Sequence, residues 1–193
     1  MTELKKLVAN GGWQNIKYNM PAWGIIELVK NLGTNVKGAE IGVHSGLSSY
    51  LLVTECPNIE LLIGVDHYQQ YEDWNGTVTQ ATQDNLFEII KENAEFMGPR
   101  FKILRSTSKD AATLIEDESL DFVYIDGDHS ADAVYQDLVN YVPKVKKGGI
   151  VSGHDIGLIG VKMGIDRWRN NSGPLTYGIL ERIENNSWYW VKN

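Results

Sequence analysis

The chain has 193 residues, 42% of them apolar, which suits one globular domain with a core that needs no staples. A formal charge of −7 argues against a polyanionic partner such as duplex nucleic acid, and the single cysteine, Cys56, excludes an internal disulfide and fits a reducing, cytoplasmic setting. The opening Met1-Thr2-Glu3-Leu4-Lys5-Lys6 lacks the apolar core of a secretory signal, and no apolar run approaches a membrane span, so no membrane partner is expected.

In chain order, residues 1–37 predict a helical cap made of two helices, near 4–9 and 21–31, with Pro21 suited to a first helical turn. A strand over 38–43 then leads into a helix over 47–55, and a second strand over 59–66 is followed by a long aromatic loop, 67–78. That loop carries Tyr68, Tyr71 and Trp74 and reads either as a lid at a strand C-terminal end, where open α/β sheets bind ligands, or as packing against the N-terminal helices. A helix over 79–97, a strand over 101–104 and a helix over 109–116 come next. They are followed by a strand over 120–126, a helix over 131–141 and a strand over 149–152.

The strands are apolar without alternation, which marks them as buried and parallel. Val134, Leu138 and Tyr141 give the helix over 131–141 one apolar face. Lys144, Lys146 and Lys147 read as a solvated helix end, where cations complement the dipole. At the tail, 175–183 and 188–191 flank Glu184-Asn185-Asn186-Ser187, a turn-forming set, and predict a terminal hairpin that adds an antiparallel strand. The fold class is therefore α/β, a doubly wound, mostly parallel sheet, in a single domain over 1–193 with its core over 38–193.

Four segments at strand ends carry chemistry. Glu40-Ile41-Gly42-Val43-His44-Ser45-Gly46 is a strand-to-helix turn whose glycines let the backbone approach a ligand and whose following amides suit an anion. Its spacing departs from the G-x-G-x-x-G of dinucleotide folds. Asp66 ends the next strand, where a carboxylate can accept the vicinal hydroxyls of a ribose; the two features together indicate a nucleoside-type ligand. Asp126-Gly127-Asp128-His129 crowds charge at the end of a buried strand, and Gly153-His154-Asp155 follows the next strand, its expected neighbour. Asp126, His154 and Asp155 are thereby candidates for a divalent ion, magnesium, calcium or manganese by their oxygens, with the imidazole widening the choice.

These motifs, in this order, resemble the class I S-adenosylmethionine-dependent methyltransferases over about residues 36–156. More narrowly they are similar to the "methyltransferase 24" group, related to sugar O-methyltransferases of macrolide and aminocoumarin pathways. The resemblance implies a Rossmann-like, seven-stranded sheet with its last strand antiparallel. It implies that Glu40, Gly42, Val43, His44, Ser45 and Gly46 hold the methionine part of S-adenosylmethionine, that Asp66 holds its ribose, and that Ser106, Thr107 and Ser108 meet its adenine. Asp126 is counted with the cofactor residues as well as with the metal set of Asp126, His154 and Asp155. His154 and His44 are departures from the family pattern.

The expected reaction is O-methylation of a small hydroxylated acceptor such as a sugar, with Asp128 and His129 as candidate bases. A non-catalytic nucleoside-binding or partner-binding module is the alternative reading, and a nicotinamide oxidoreductase is disfavoured by the glycine spacing. A homo-oligomer in which a second subunit lends a lid would suit so short a chain.

Overall fold

The computed structural model describes residues 1–73, 76–172 and 180–193. Helix α1 (Glu3–Ala9) starts at Thr2, whose hydroxyl accepts the Lys5 amide, and α2 (Trp13–Ile16) follows it. The second expected cap helix winds first as a 3-10 turn, Pro21–Ile25, and becomes α-helical only as α3 (Ile26–Lys30). Gly24, inside that turn, lies so close to the carbonyl of Glu184 that a Cβ would collide with it.

Strand β1 (Val36–Ile41) leads to α4 (Leu47–Glu55), β2 (Ile59–Asp66), the short strands β3 (Tyr71–Asp73) and β4 (Gly76–Val78), and α5 (Gln80–Met97). Then come β5 (Phe101–Arg105), α6 (Ser108–Ala112), β6 (Leu120–Ile125), α7 (Ala131–Tyr141), β7 (Val145–Gly153), α8 (Ile159–Ser172), β8 (Glu181–Arg182) and β9 (Trp188–Val191). The main sheet has seven strands in the order β5-β2-β1-β6-β7-β9-β8. Its first five strands in that order are parallel, and β9 runs antiparallel to β7. The strand order reverses between β1 and β6, which makes the C-terminal ends of those two strands the topological switch point.

Both faces of the sheet are covered. One core joins Leu51, Leu62, Phe122 and Tyr124 to the cap residues Leu4, Trp13, Ile25 and Val29; the other joins Val123, Val151 and Ile125 to Leu138, Ile165 and Trp168. Strand residues buried on both faces explain why the sequence shows apolar runs rather than alternation. Among the described residues no helix is long and apolar enough to cross a membrane.

Besides the single turn α2, the described residues include one longer helix that the sequence pattern did not suggest. Helix α8 buries Val161, Ile165 and Trp168, at spacings of four and three, and this face was the available signal. Its apolar content is diluted by Gly160 and Gly164, the residues that let it lie against the loop before α7 and α7 itself. A Cβ on Gly164 would come within 2.7 Å of Val134 Cβ.

In the loop over 67–78 the structure shows packing at Tyr68. Residues 71–73 and 76–78 pair as an antiparallel ribbon, and Tyr68 is wholly buried, stacked at a tilt on Phe87. Tyr68 therefore belongs to the core, while Tyr71 is exposed and Trp74 lies outside the described residues. At the tail, the turn residues Asn185 and Asn186 both take positive φ, the geometry that matches the twist of a two-residue hairpin. The expected strand over 175–183 is described only from residue 180 onward.

Candidate active site

The site is built at the switch point. Between β1 and α4 the backbone passes through positive φ at Gly42, His44 and Gly46. Gly42 lies against the carbonyl of Asp126, and a Cβ there would fall 2.6 Å from Gly127 Cα, so the turn after β1 and the loop after β6 touch. Only glycine allows that approach. His44 is the exposed member of the turn and holds a left-handed conformation that costs a side-chain-bearing residue energy.

Three carboxyl groups stand around this turn in different states. Glu40, 1% exposed, accepts the Ser49 hydroxyl. Burial pushes its carboxyl up to about 8, the Ser49 hydroxyl opposes this, and the charges of Asp126 and Asp66 add to it. Asp66 uses its carboxylate on the backbone: Oδ2 accepts the amides of Val43 at 3.1 Å and His44 at 2.9 Å, and Oδ1 accepts that of Tyr68 at 3.2 Å. The residue expected to meet a ribose thus also holds the turn.

The third, Asp126, stands in a cluster after β6 and β7. Asp126, His154 and Asp155 offer ligand atoms that all lie within 4.8 Å of one another. His154 Nδ1 is 3.5 Å from Asp126 Oδ1 and 3.2 Å from Asp155 Oδ2. The parallel pairing of β6 with β7, with Ile125 opposite Gly153, brings the two loops together. Asp155 is itself held at φ 56.

His129 enters the same cluster, its Nε2 standing 3.2 Å from Asp155 Oδ2 and 3.6 Å from Asp126 Oδ1. That nitrogen is buried and has no hydrogen-bond partner among the described residues. Asp126 foremost, with Asp155 behind it, raises His129 above the ordinary imidazole value against the effect of burial. Burial pulls His154 down, yet Asp126 and then Asp155 leave it raised as well.

Of the two expected bases, His129 joins the cluster. Asp128 instead caps the approach to α7, its Oδ1 accepting the Ser130 amide at 2.8 Å. The three hydroxyls after β5 also divide. Thr107 is the N-cap of α6 and Ser108 donates to the buried Asp137 at 2.5 Å, while Ser106 reaches only the Thr107 carbonyl at 3.2 Å. Several contributors lay outside the sequence reading. Asn186 in the tail hairpin donates to Asp155, Tyr68 donates to the His44 carbonyl, and Asn93 on α5 donates to the Ser45 carbonyl. The sequence marks Tyr68 as part of an aromatic loop and Asn185-Asn186 as a turn, neither as a neighbour of the site, and gives no sign of Asn93.

A doubly wound sheet with a glycine turn, an acid ending the next strand and a carboxylate cluster at its switch point defines a class I S-adenosylmethionine-dependent methyltransferase fold. Residues 39–156 match the family model described as a methyltransferase domain, and the chain belongs to that family, methyltransferase 24. An uncharacterized protein, y4gI, of Sinorhizobium fredii (strain NBRC 101917 / NGR234) is 28% identical over 126 residues, covering 60% of this chain. The matched part is 12% of that relative, so the chain spans only about an eighth of its length.

Among solved structures, an O-methyltransferase from Bacillus cereus in complex with SAH superimposes with a TM-score of 0.65 at 16% identity, covering 98% of this chain and 90% of that one. The O-methyltransferase NovP gives 0.64 at 20% identity, with 93% and 78% covered. A putative caffeoyl-CoA O-methyltransferase from Staphylococcus aureus gives 0.61 at 17% identity, with 88% and 81% covered. At these identities the likeness is one of fold.

Proposed function

We propose that this chain, with residues 1–37 as its cap and 38–193 as its core, transfers the methyl group of S-adenosylmethionine to a hydroxyl of a small acceptor, a sugar being the leading class. The observation that carries this reading is the contact between the glycine turn and the Asp126 loop at Gly42, which sets a cofactor turn directly beside a cluster of carboxylates and imidazoles. The turn from Glu40 to Gly46 would hold the methionine part of the cofactor and Asp66 its ribose. With the hydroxyls of Thr107 and Ser108 engaged, Ser106 is the side chain left to meet adenine.

The donor set fits a divalent ion. Two carboxylates and an imidazole converge, their ligand atoms within 4.8 Å of one another. Asp126, His154 and Asp155 would hold the ion, which supplies a Lewis acid that lowers the pKa of an acceptor hydroxyl. In the transfer, a bond forms between the acceptor oxygen and the methyl carbon. The bond from that carbon to sulfur breaks with its electron pair left on sulfur, yielding the thioether S-adenosylhomocysteine. His129 takes the hydroxyl proton, a role that its place beside Asp126 suits. Because a sulfonium methyl is already activated, aligning the oxygen and receiving this proton is the protein's main task.

The test is calorimetric titration with S-adenosylmethionine and S-adenosylhomocysteine, then transfer of labelled methyl to a panel of hydroxylated acceptors. Micromolar binding and a transfer abolished by Asp126→Ala are expected. Failure of both ligands to bind would overturn the cofactor, and transfer that persists without Asp126 would overturn the mechanism.

A further inference from the structure

The glycine turn is gripped by side chains from outside it. Asp66 holds the amides of Val43 and His44, and the buried Tyr68 donates its hydroxyl to the His44 carbonyl at 2.8 Å. Asn93, in the C-terminal part of α5 and 1% exposed, donates Nδ2 to the next carbonyl, that of Ser45, at 2.8 Å. The other face of the same amide leads elsewhere, since Asn93 Oδ1 accepts the hydroxyl of Thr2 at 2.5 Å. Thr2 is the N-cap of α1, and α1 is tied to α5 one residue away through Lys5 and Glu92 at 2.9 Å.

We infer that Asn93 is a positioning residue for the cofactor, and that through Thr2 it makes the docked N-terminal helix α1 a condition of tight cofactor binding. The inference rests on the reading of residues 40–46 as the cofactor turn. Two adjacent carbonyls, His44 and Ser45, are pinned by separate side chains, which sets the orientation of the peptide planes between them and hence of the amides that face a ligand. The strain at His44, with φ 53, makes such pinning necessary, because the turn lacks the glycine that would adopt this conformation freely.

A buried amide with one partner on each side cannot lose either without leaving a polar atom unsatisfied. Displacing Thr2 therefore loosens Asn93, and loosening Asn93 frees the Ser45 peptide. The coupling is reciprocal, so a ligand that orders the turn also tightens α1.

The test uses the full chain and S-adenosylhomocysteine as the probe, titrated by calorimetry well below the melting temperature. Asn93→Ala is expected to weaken binding about tenfold. Thr2→Val should weaken it about threefold and Thr2→Ser should restore it, while the double variant Thr2→Val with Asn93→Ala should bind no more weakly than Asn93→Ala alone. Hydrogen exchange over residues 3–9 should slow when S-adenosylhomocysteine is added to the wild type, and not in Thr2→Val, a readout that a purely structural Asn93 would leave unmoved. If Asn93→Ala does not fold, the comparison of Thr2→Val with Thr2→Ser decides the matter. A wild type that binds together with variants that bind within twofold of it overturns the inference alone. A wild type that does not bind at all overturns the cofactor reading and this inference with it.

Discussion

Asn186 holds Asp155: its Nδ2 stands 3.1 Å from Asp155 Oδ1, and its own Oδ1 accepts the Gly157 amide at 3.0 Å. The tail hairpin thus reaches the carboxylate cluster from 31 residues further along the chain. The next residues of the same turn reach the cap, Asn185 donating to the carbonyls of Tyr18 and Met20 and Ser187 to that of Pro21. A side chain that orients a ligand in this way supports metal affinity without touching the ion. Asn186→Ala is expected to weaken manganese binding about tenfold by calorimetry. Unchanged affinity would show that Asp155 needs no help from the hairpin.

The His154 imidazole bears on which ion the proposed metal site would prefer. A nitrogen donor beside two carboxylates favours first-row transition ions over magnesium, which takes oxygen ligands. Titration with each ion is expected to rank manganese and zinc above magnesium. His154→Ala should narrow that gap by about tenfold in relative affinity, since it leaves a more oxygen-rich set. A wild type that binds magnesium as tightly as zinc contradicts the assignment.

Glu40 has a stability signature in pH. Its carboxyl is raised from 4.5 to about 8 in the folded chain, so between those values the folded state holds a proton that the unfolded state has released. The contribution is fully present below the unfolded value and is lost as pH rises through the folded one. Wild-type stability should therefore fall from about pH 5 to pH 8 relative to Glu40→Gln, at up to about 1.4 kcal/mol for each pH unit. Denaturant melts of both proteins across that range check it, and parallel curves would exclude the buried, protonated carboxyl.

Asp66 carries a structural load besides its proposed part in binding the cofactor. Asp66→Ala removes the acceptor for the amides of Val43, His44 and Tyr68 and is expected to cost about 3 kcal/mol in stability and most of the S-adenosylhomocysteine affinity. Asp66→Asn keeps one acceptor oxygen and should recover much of the stability while recovering less of the binding. Equal recovery of both would mean that the carboxylate acts on the turn alone.

Gly42 is the position where a single carbon separates the two halves of the site. Gly42→Ala must be accommodated at φ 88 and against the backbone of Asp126 and Gly127, so a loss of about 3 kcal/mol is expected together with loss of cofactor binding. A chemical melt and a titration measure both effects, and a stable variant that binds normally would mean the two loops need not touch.

Much of the fold was legible because its determinants are local or periodic. The apolar runs at 59–66 and 120–126 announce buried strands, the spacing of Val134, Leu138 and Tyr141 announces α7, and the charge burst at Asp126 to His129 announces a site at a strand end. Helix α8 escaped because its face is interrupted by Gly160 and Gly164, and the sequence leaves Tyr68 open to a lid or to packing because an aromatic residue in a loop gives no sign of which side it faces. The sequence allows Asp128 or Ser130 to be a cap for the following helix, but does not show which of Asp128 and His129 joins the cluster. Neighbours in sequence, they part because one side chain turns to the Ser130 amide and the other to the facing loop after β7.

The sequence by itself determined the alternation of strands and helices, the methyltransferase family, and the strand ends where chemistry gathers, since each is written in residues a few positions apart. Only the tertiary structure decided which side chains hold the glycine turn, that His129 joins His154 in one cluster, and that Asn93 and Asn186 tie the two chain ends to the site. Those relations span from tens of residues to nearly the whole chain, as from Tyr18 to Asn185, and rest on strand order and helix docking, which no local pattern encodes.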